Sequence, residues 1–249
     1  MKNTILNHRS IRKFKNQAIN DRILNEILYA GTRASTTGNM QVYSIIVTTN
    51  VNLKKQLWEA HFKQDMVLQA PVHLTFCADF NRFTKWCNYR KANPGYSNFL
   101  SFFTAAIDAL LVAQNVALAA EEKGFGICYL GTATYNADKI IDILELPKLV
   151  VPVTAIVLGI PDENPDLTDR LPLDGVIHKE KYHDYTEQVI NEIYKEKESL
   201  QQTLELLQIN NKDNLAQIFT DNRYKKEDNE FFSNKYLEVI EKQGFMDNN

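Results

Sequence analysis

The sequence predicts a chain of α/β or α+β order, and three observations carry that reading. Four apolar or β-branched runs, near positions 42, 72, 127 and 150, read as buried strands. Long segments of helical period separate them. No strand leads into a glycine-rich phosphate loop, which removes most of the case for a dinucleotide-binding, doubly wound sheet. With 249 residues, 44% hydrophobic content and a formal charge of −3, the chain is long enough to bury a large core as one domain. Disordered, collagenous and disulfide-stapled classes are excluded.

The elements follow in order. Asn20 and Asp21 read as a cap, and Ile23, Leu24, Ile27 and Leu28 recur at helical spacing up to Gly31. A polar loop, Arg33 to Gln41, precedes a strand over Val42 to Thr48. Short helices are predicted over Leu53 to Phe62 and Asp65 to Gln69, the second stopped by Pro71, and Val72 to Ala78 is a second strand. Asn81 to Tyr96, with Pro94 and Gly95, reads as a long loop or mobile segment. Ser97 to Lys123 is one long helix whose face of Phe102, Ala106, Ala109, Leu110, Ala113, Val116, Ala117 and Ala120 marks it as central. Ile127 to Leu130 is a short strand or extended turn, Asn136 caps a helix through Leu146, and Val150 to Gly159 is a strand ended by Pro161. Beyond Pro172 the composition turns polar and helical, with helices near Tyr185 to Leu207, Asn214 to Asn222 and Asp228 to Lys242. The division is a core over residues 1–186 and a helical extension over 187–249 within the same folding unit, a dimer wrap, a lid or a solvated tail.

Nine glycines are few, and the one close cluster, Gly124, Gly126 and Gly131, fits neither the dinucleotide fingerprint nor a Walker loop. A phosphate held by this chain must therefore be held largely by side chains. Three cysteines, Cys77, Cys87 and Cys128, with no C-x-x-C pair read as reduced thiols of a cytoplasmic protein and imply no metal cage. The apolar stretch Ala105 to Ala120 is interrupted by Asp108, Gln114 and Asn115, which argues against a bilayer span. A net acidic chain with one short basic arm is a poor general nucleic-acid binder.

That arm, His8-Arg9-Ser10-Ile11-Arg12-Lys13-Phe14, places two arginine forks three residues apart with a hydroxyl between them. A solvated basic face would look the same. His178 and His183 are spaced wrongly for a helical metal pair, His73 reads as a core or edge histidine of an apolar strand, and Cys128 as packing. There is no G-x-S-x-G elbow.

Over nearly its whole length the sequence resembles the nitroreductase family of FMN-dependent oxidoreductases, in particular the oxygen-insensitive NADPH nitroreductase and flavin reductase branch. The resemblance rests on His8-Arg9-Ser10-Ile11-Arg12, the loop Ala34 to Gln41, Cys77-Ala78-Asp79-Phe80-Asn81-Arg82, Ala113-Gln114-Asn115 with Ala119-Ala120-Glu121, Tyr129-Leu130-Gly131, and Leu158 to Pro172. It implies an α+β three-layer α-β-α sandwich with a mixed, mostly antiparallel sheet around the long helix, and an intertwined homodimer. Arg9 and Arg170, with His8 and Ser10, would hold the FMN phosphate, and Arg12 would face the pyrimidine edge and stabilise reduced flavin. Thr36 would close over the FMN of the partner subunit, Gln64 would contact the ring, and Tyr129, Leu130 and Gly131 would line it. The cofactor carries the chemistry, so no catalytic side chain and no metal is implied.

The implied activity is ping-pong hydride transfer through FMN N5, from NADPH or NADH to nitroaromatics, quinones or free flavin. Lys212, Arg223, Lys225 and Lys226 are candidates for an NADPH phosphate contact. Thr168 stands where the branch often has a lysine, a departure that would weaken the phosphate site. A non-turnover FMN sensor or store and a reductive dehalogenase are the rival expectations. No nucleic-acid or membrane partner is expected.

Overall fold

The computed structural model describes residues 2–247, in which the helices preceding the last strand are α1 (Lys2–Leu6), α2 (Asp21–Gly31), α3 (Val51–Ala60), α4 (Met66–Gln69), α5 (Asn81–Tyr89), α6 (Phe99–Glu122) and α7 (Ala137–Ile143). Its strands β1 (Tyr43–Thr48), β2 (Val72–Asp79), β3 (Gly126–Leu130) and β4 (Val150–Gly159) form one sheet in the order β1-β2-β4-β3. Every residue of β2 is buried, the polar His73, Thr75 and Asp79 included, and β2 lies inside the sheet. All three strand pairs are antiparallel, in registers set by Tyr43 opposite Ala78, Val72 opposite Leu158 and Gly126 opposite Gly159. The mixed character expected of the sheet is reduced to one isolated parallel bridge, between Ser10 and Ile127.

Strand alternation builds two cores. Leu74, Phe76, Ile127, Ile156 and Leu158 face one layer, made by α2 (Asp21–Gly31) and the central helix α6 (Phe99–Glu122). Cys128, Leu130, Ala155 and Val157 face the other, with Leu57 of α3 (Val51–Ala60) and Ile140 of α7 (Ala137–Ile143). The result is the α+β three-layer sandwich that the sequence implied. At one end of the sheet Phe80, Phe102, Val239, Ile240 and Phe245 form a third cluster, in which the C-terminal helix Lys226–Lys242 takes part.

The chain divides into two compact units, one running to Asp166 and resuming at Phe232, the other Leu167–Phe231. In the second, a short turn at Leu173–Gly175 precedes helices Glu187–Ser199 and Gln201–Asn210, with a third short helix, Leu215–Gln217, passing into a wide turn over Ile218–Arg223. Gly175 is required there because a Cβ would fall 2.8 Å from Ile193.

Four expectations are corrected. Asn81–Tyr89 is a helix, not a loop: Asp79 accepts from the Arg82 backbone N–H at 3.2 Å, and Phe83 packs on Phe80 and Tyr96 (ring centroids 6.3 and 5.5 Å), burying a face that a polar composition concealed. Asn136 does not cap α7 with its side chain, and the helix ends at Ile143; the amide instead donates to the Ala60 carbonyl and accepts from Lys235. The helix expected over Tyr185 to Leu207 is broken at Leu200, which is extended. The interruptions in α6 do not disqualify it as a bilayer span, since it is long and apolar enough to cross one, but half of its most apolar stretch is buried within the protein.

Asp108, fully buried on α6, explains one of those interruptions. Its two carboxylate oxygens accept the backbone N–H groups of Thr37 (2.9 Å) and Val42 (3.3 Å), pinning both ends of a loop in which Gly38, Asn39 and Gln41 all have positive φ. Arg82 adds hydrogen bonds to the carbonyls of Gln41 and Tyr43. Asp108→Ala, which leaves two buried or half-buried donors without partners, is expected to cost roughly 3 kcal/mol in urea unfolding and to open the Ser35–Gln41 loop to protease; unchanged stability would show that the carboxylate does not hold the loop.

Candidate functional site

The basic arm is placed by the outer edge of β3. Ser10 bridges Ile127, and the Ile11 N–H donates to the Ile127 carbonyl at 2.8 Å. The approach needs Gly126, where a Cβ would stand 2.7 Å from the Ile11 side chain. Beyond this point the arm continues along the end of β4. Lys15 N–H donates to Ile160 O (3.0 Å), Asp162 N–H to Lys13 O (2.9 Å), and Phe14 bridges Pro161. One oxygen of Glu163 accepts from the backbone N–H groups of both Arg12 and Lys13. Ile11 and Phe14 are buried, so the intervening Arg12 and Lys13 are turned out to solvent. Arg12 nevertheless acts on Cys128: burial pushes that thiol up, and the guanidinium partly offsets it.

Arg9 lines an open groove of about 250 Å³ whose walls include Asn7, Glu121, Gly126, Glu163 and Asn164. Its Nη1 donates to Asn164 Oδ1 at 3.2 Å, while its Nε is buried with no hydrogen-bond partner among the described residues. An orphaned donor on a half-buried cation is what an anion-binding arginine presents before its ligand arrives. His8 donates from Nδ1 to Glu121 Oε1 at 2.6 Å, since a carboxylate can only accept; Nε2 is the nitrogen left to a ligand.

At the far end of β3, Tyr129 donates to Gln114 (3.3 Å), Leu130 is buried, and Gly131 is exposed with open space where a Cβ would be. Gln64 joins this turn. Its Nε2 donates to the His61 carbonyl (3.0 Å) and to Thr132 Oγ1 (3.2 Å). Behind it lie two fully buried histidines: His61 Nδ1 is 2.8 Å from Thr132 Oγ1, and His61 Nε2 is 3.1 Å from His73 Nε2.

The structure thus brings His8, Arg9, Ser10 and Arg12 beside the strand that ends in Tyr129, Leu130 and Gly131, and ties Gln64 to that turn. Thr36 sits apart on the pinned loop, half-buried, with no hydrogen bond to arm or turn among the described residues. Arg170 lies in the second unit, exposed, and donates to the carbonyls of Thr168 (3.2 Å) and Asp169 (2.8 Å). Sequence reasoning missed Glu121, Glu163 and Thr132, whose roles depend on contacts across more than sixty positions.

Arginine forks, hydroxyls and an open glycine turn on an α+β sandwich are groups able to receive an anionic ligand. The chain belongs to the nitroreductase family, whose model matches residues 5–160, and it is an oxidoreductase. It is 35% identical to an NADPH-dependent oxidoreductase of Staphylococcus aureus (strain USA300) over 185 residues, 73% of each chain. A solved structure from Bacteroides fragilis NCTC 9343 superposes with a TM-score of 0.97 at 53% identity, covering 98% of this chain and 100% of that one. NADPH:FMN oxidoreductase from Vibrio harveyi, complexed with NAD+, superposes with a TM-score of 0.81 at 28% identity, covering 99% and 98%.

The buried histidines give the site a pH signature. Burial lowers His61 to about 4 from 6.5 and moves His73 in the same direction. Between those values the unfolded chain binds the proton and the folded chain does not, so the stability is present above about pH 6.5 and falls as the pH drops toward 4. His61 alone is expected to remove on the order of 1 kcal/mol between pH 7 and 5.5, where few carboxylates titrate. Denaturant unfolding at the two pH values measures it, and equal stabilities would refute a neutral buried pair.

Proposed function

We propose that the protein is an FMN-dependent NADPH oxidoreductase of the nitroreductase and flavin reductase type, acting as a cytoplasmic homodimer. The observation that carries the reading is the docking of Ser10 and Ile11 on β3, which sets Arg9 and its unpartnered Nε on the segment adjoining Tyr129, Leu130 and Gly131. The residues suit a flavin mononucleotide. Arg9, Ser10 and His8 Nε2 offer donors to a phosphate dianion without a glycine loop. Gly131 leaves room for a flat ring to approach the backbone. FMN, when bound, supplies the N5 atom that accepts and passes on a hydride.

The chain's own residues bind and bias that group. Arg12 carries a fixed charge on an anchored backbone, placed to stabilise negative charge at the pyrimidine edge. Donor and acceptor use one open face in turn, which gives ping-pong kinetics and tolerance of nitroaromatic, quinone and flavin acceptors. The NADPH relatives support that reductant, with Lys212, Arg223, Lys225 and Lys226 as the candidate phosphate contacts. Lys212 pairs with Asp221 at 2.7 Å, so a nucleotide phosphate would have to compete with that carboxylate.

The homodimer reading is supported by the outward face of α6. Phe99, Leu100, Phe103, Ile107, Leu110 and Leu111 recur at helical spacing and are 41 to 72% exposed, a continuous apolar stripe of a kind that soluble monomers rarely leave open. Thr36 is proposed to reach the FMN of the partner subunit. The double substitution Leu100→Glu and Phe103→Glu is expected to convert dimer to monomer in light scattering; an unaltered protein that is monomeric would overturn this part of the reading.

FMN titration followed by anaerobic reduction tests the activity. The protein should quench FMN fluorescence, and NADPH should bleach the bound flavin faster than NADH. Arg9→Ala should weaken FMN binding by about tenfold or more, the loss of charge-assisted hydrogen bonds. A protein that binds no FMN refutes the reading, and one that binds FMN but is not reduced by either nucleotide is a sensor or store.

A further inference from the structure

We infer that His61 and His73 are positioning residues of the flavin site, acting through Thr132 to lock Gln64 so that its amide carbonyl, and not its NH2, faces the cofactor. The inference rests on the FMN reading above. It starts from the hydrogen-bond inventory of Gln64 and Thr132. The His61 carbonyl can only accept, so the Gln64 atom 3.0 Å from it must be the amide nitrogen. The second hydrogen of that nitrogen goes to Thr132 Oγ1 at 3.2 Å. Both donors of the amide are thereby committed inward, and Oε1 is left without a protein partner among the described residues. An oxidised flavin ring carries one N–H, and a fixed carbonyl is the group that recognises it.

The lock depends on Thr132 keeping a lone pair for Gln64. Its hydroxyl has one hydrogen and two lone pairs, shared between Gln64 and His61 Nδ1, 2.8 Å away. His61 is held in turn by His73, whose Nε2 lies 3.1 Å from His61 Nε2 with ring centroids 5.1 Å apart, and His73 Nδ1 is 3.4 Å from Thr75 Oγ1. Each ring in such a chain must donate at one nitrogen and accept at the other, so the two tautomers and the Thr132 hydroxyl are set together. Both rings are fully buried, and neither can turn to water if its partner is lost. Val72, Leu74 and Phe76 fill the face of β2 toward the first core, while His73 shares the opposite face with Thr75, which makes a polar line inside a buried strand. Burial is the main reason that His73 stays neutral, and the charges of His61 and of Lys54, itself buried with its ammonium on the carbonyls of Leu68 and Ala70, act in the same direction.

A double-mutant cycle on the full-length protein tests the inference, with FMN dissociation constants from fluorescence quenching as the readout. Thr132→Val removes the hydroxyl at constant shape, and His73→Leu removes the support of His61. Each is expected to weaken FMN binding about five- to tenfold, one hydrogen bond's worth, and the double variant to be no weaker than Thr132→Val alone. Thr132→Ser should restore wild-type binding. If His73→Leu does not fold, His73→Gln, which keeps an N–H for His61, replaces it and should bind FMN within about twofold of wild type, against the loss seen in Thr132→Val. Additive losses, or wild-type affinity in Thr132→Val and His73→Leu, overturn the inference while leaving the FMN reading standing. No FMN binding by the unaltered protein overturns both.

Discussion

Everything at this site depends on how the arm from His8 to Lys15 is seated against the free edge of β3. Backbone hydrogen bonds from Ile11 and Lys15, and a Gly126 with no Cβ to obstruct Ile11, put the arm in register with the strand. The register decides which side chains are buried and which face outward. Ile11 and Phe14 anchor in the lower core, and Arg9 and Arg12 are presented on either side of Ile11. A shift of one residue would bring Arg12 into the apolar position held by Ile11, so apolar burial rather than charge sets where the arginine stands.

Carboxylates do the work that glycine loops do elsewhere. Asp108 gathers the backbone N–H groups of Thr37 and Val42, Glu163 those of Arg12 and Lys13, and Glu121 the ring of His8. Each joins segments far apart in sequence, and none of the three takes up an arginine side chain of the arm. No carboxylate pairs with the forks of Arg9 or Arg12 among the described residues, and the few glycines serve close packing, at Gly126 and Gly175, or an open face, at Gly131.

The sandwich was readable because its strands are apolar runs and its central helix has one alanine-rich buried face, signals that are local and strong. Asn81–Tyr89 was not, since Phe83 and Cys87 on a polar background count for little until Phe80 and Tyr96 are known to lie beside them. Arg9, Ser10, Tyr129 and Gly131 stand out in the sequence through motif resemblance alone, whereas Glu163 and Thr132 have no local signature at all. His73 was readable as a satisfied core histidine; that its partner is His61, and that the pair ends on Thr132, is a matter of tertiary pairing alone.

The seating of the arm has a bearing on solubility as well as on chemistry. In the sheet order β1-β2-β4-β3, the outer side of β3 would present unpaired N–H and C=O groups if the arm were absent. An apolar edge of that kind recruits strands from other molecules. The same residues that present the arginines therefore protect the sheet from edge-to-edge aggregation, and a chain shortened at its N-terminus loses the arginines of the arm and its defence against self-association together.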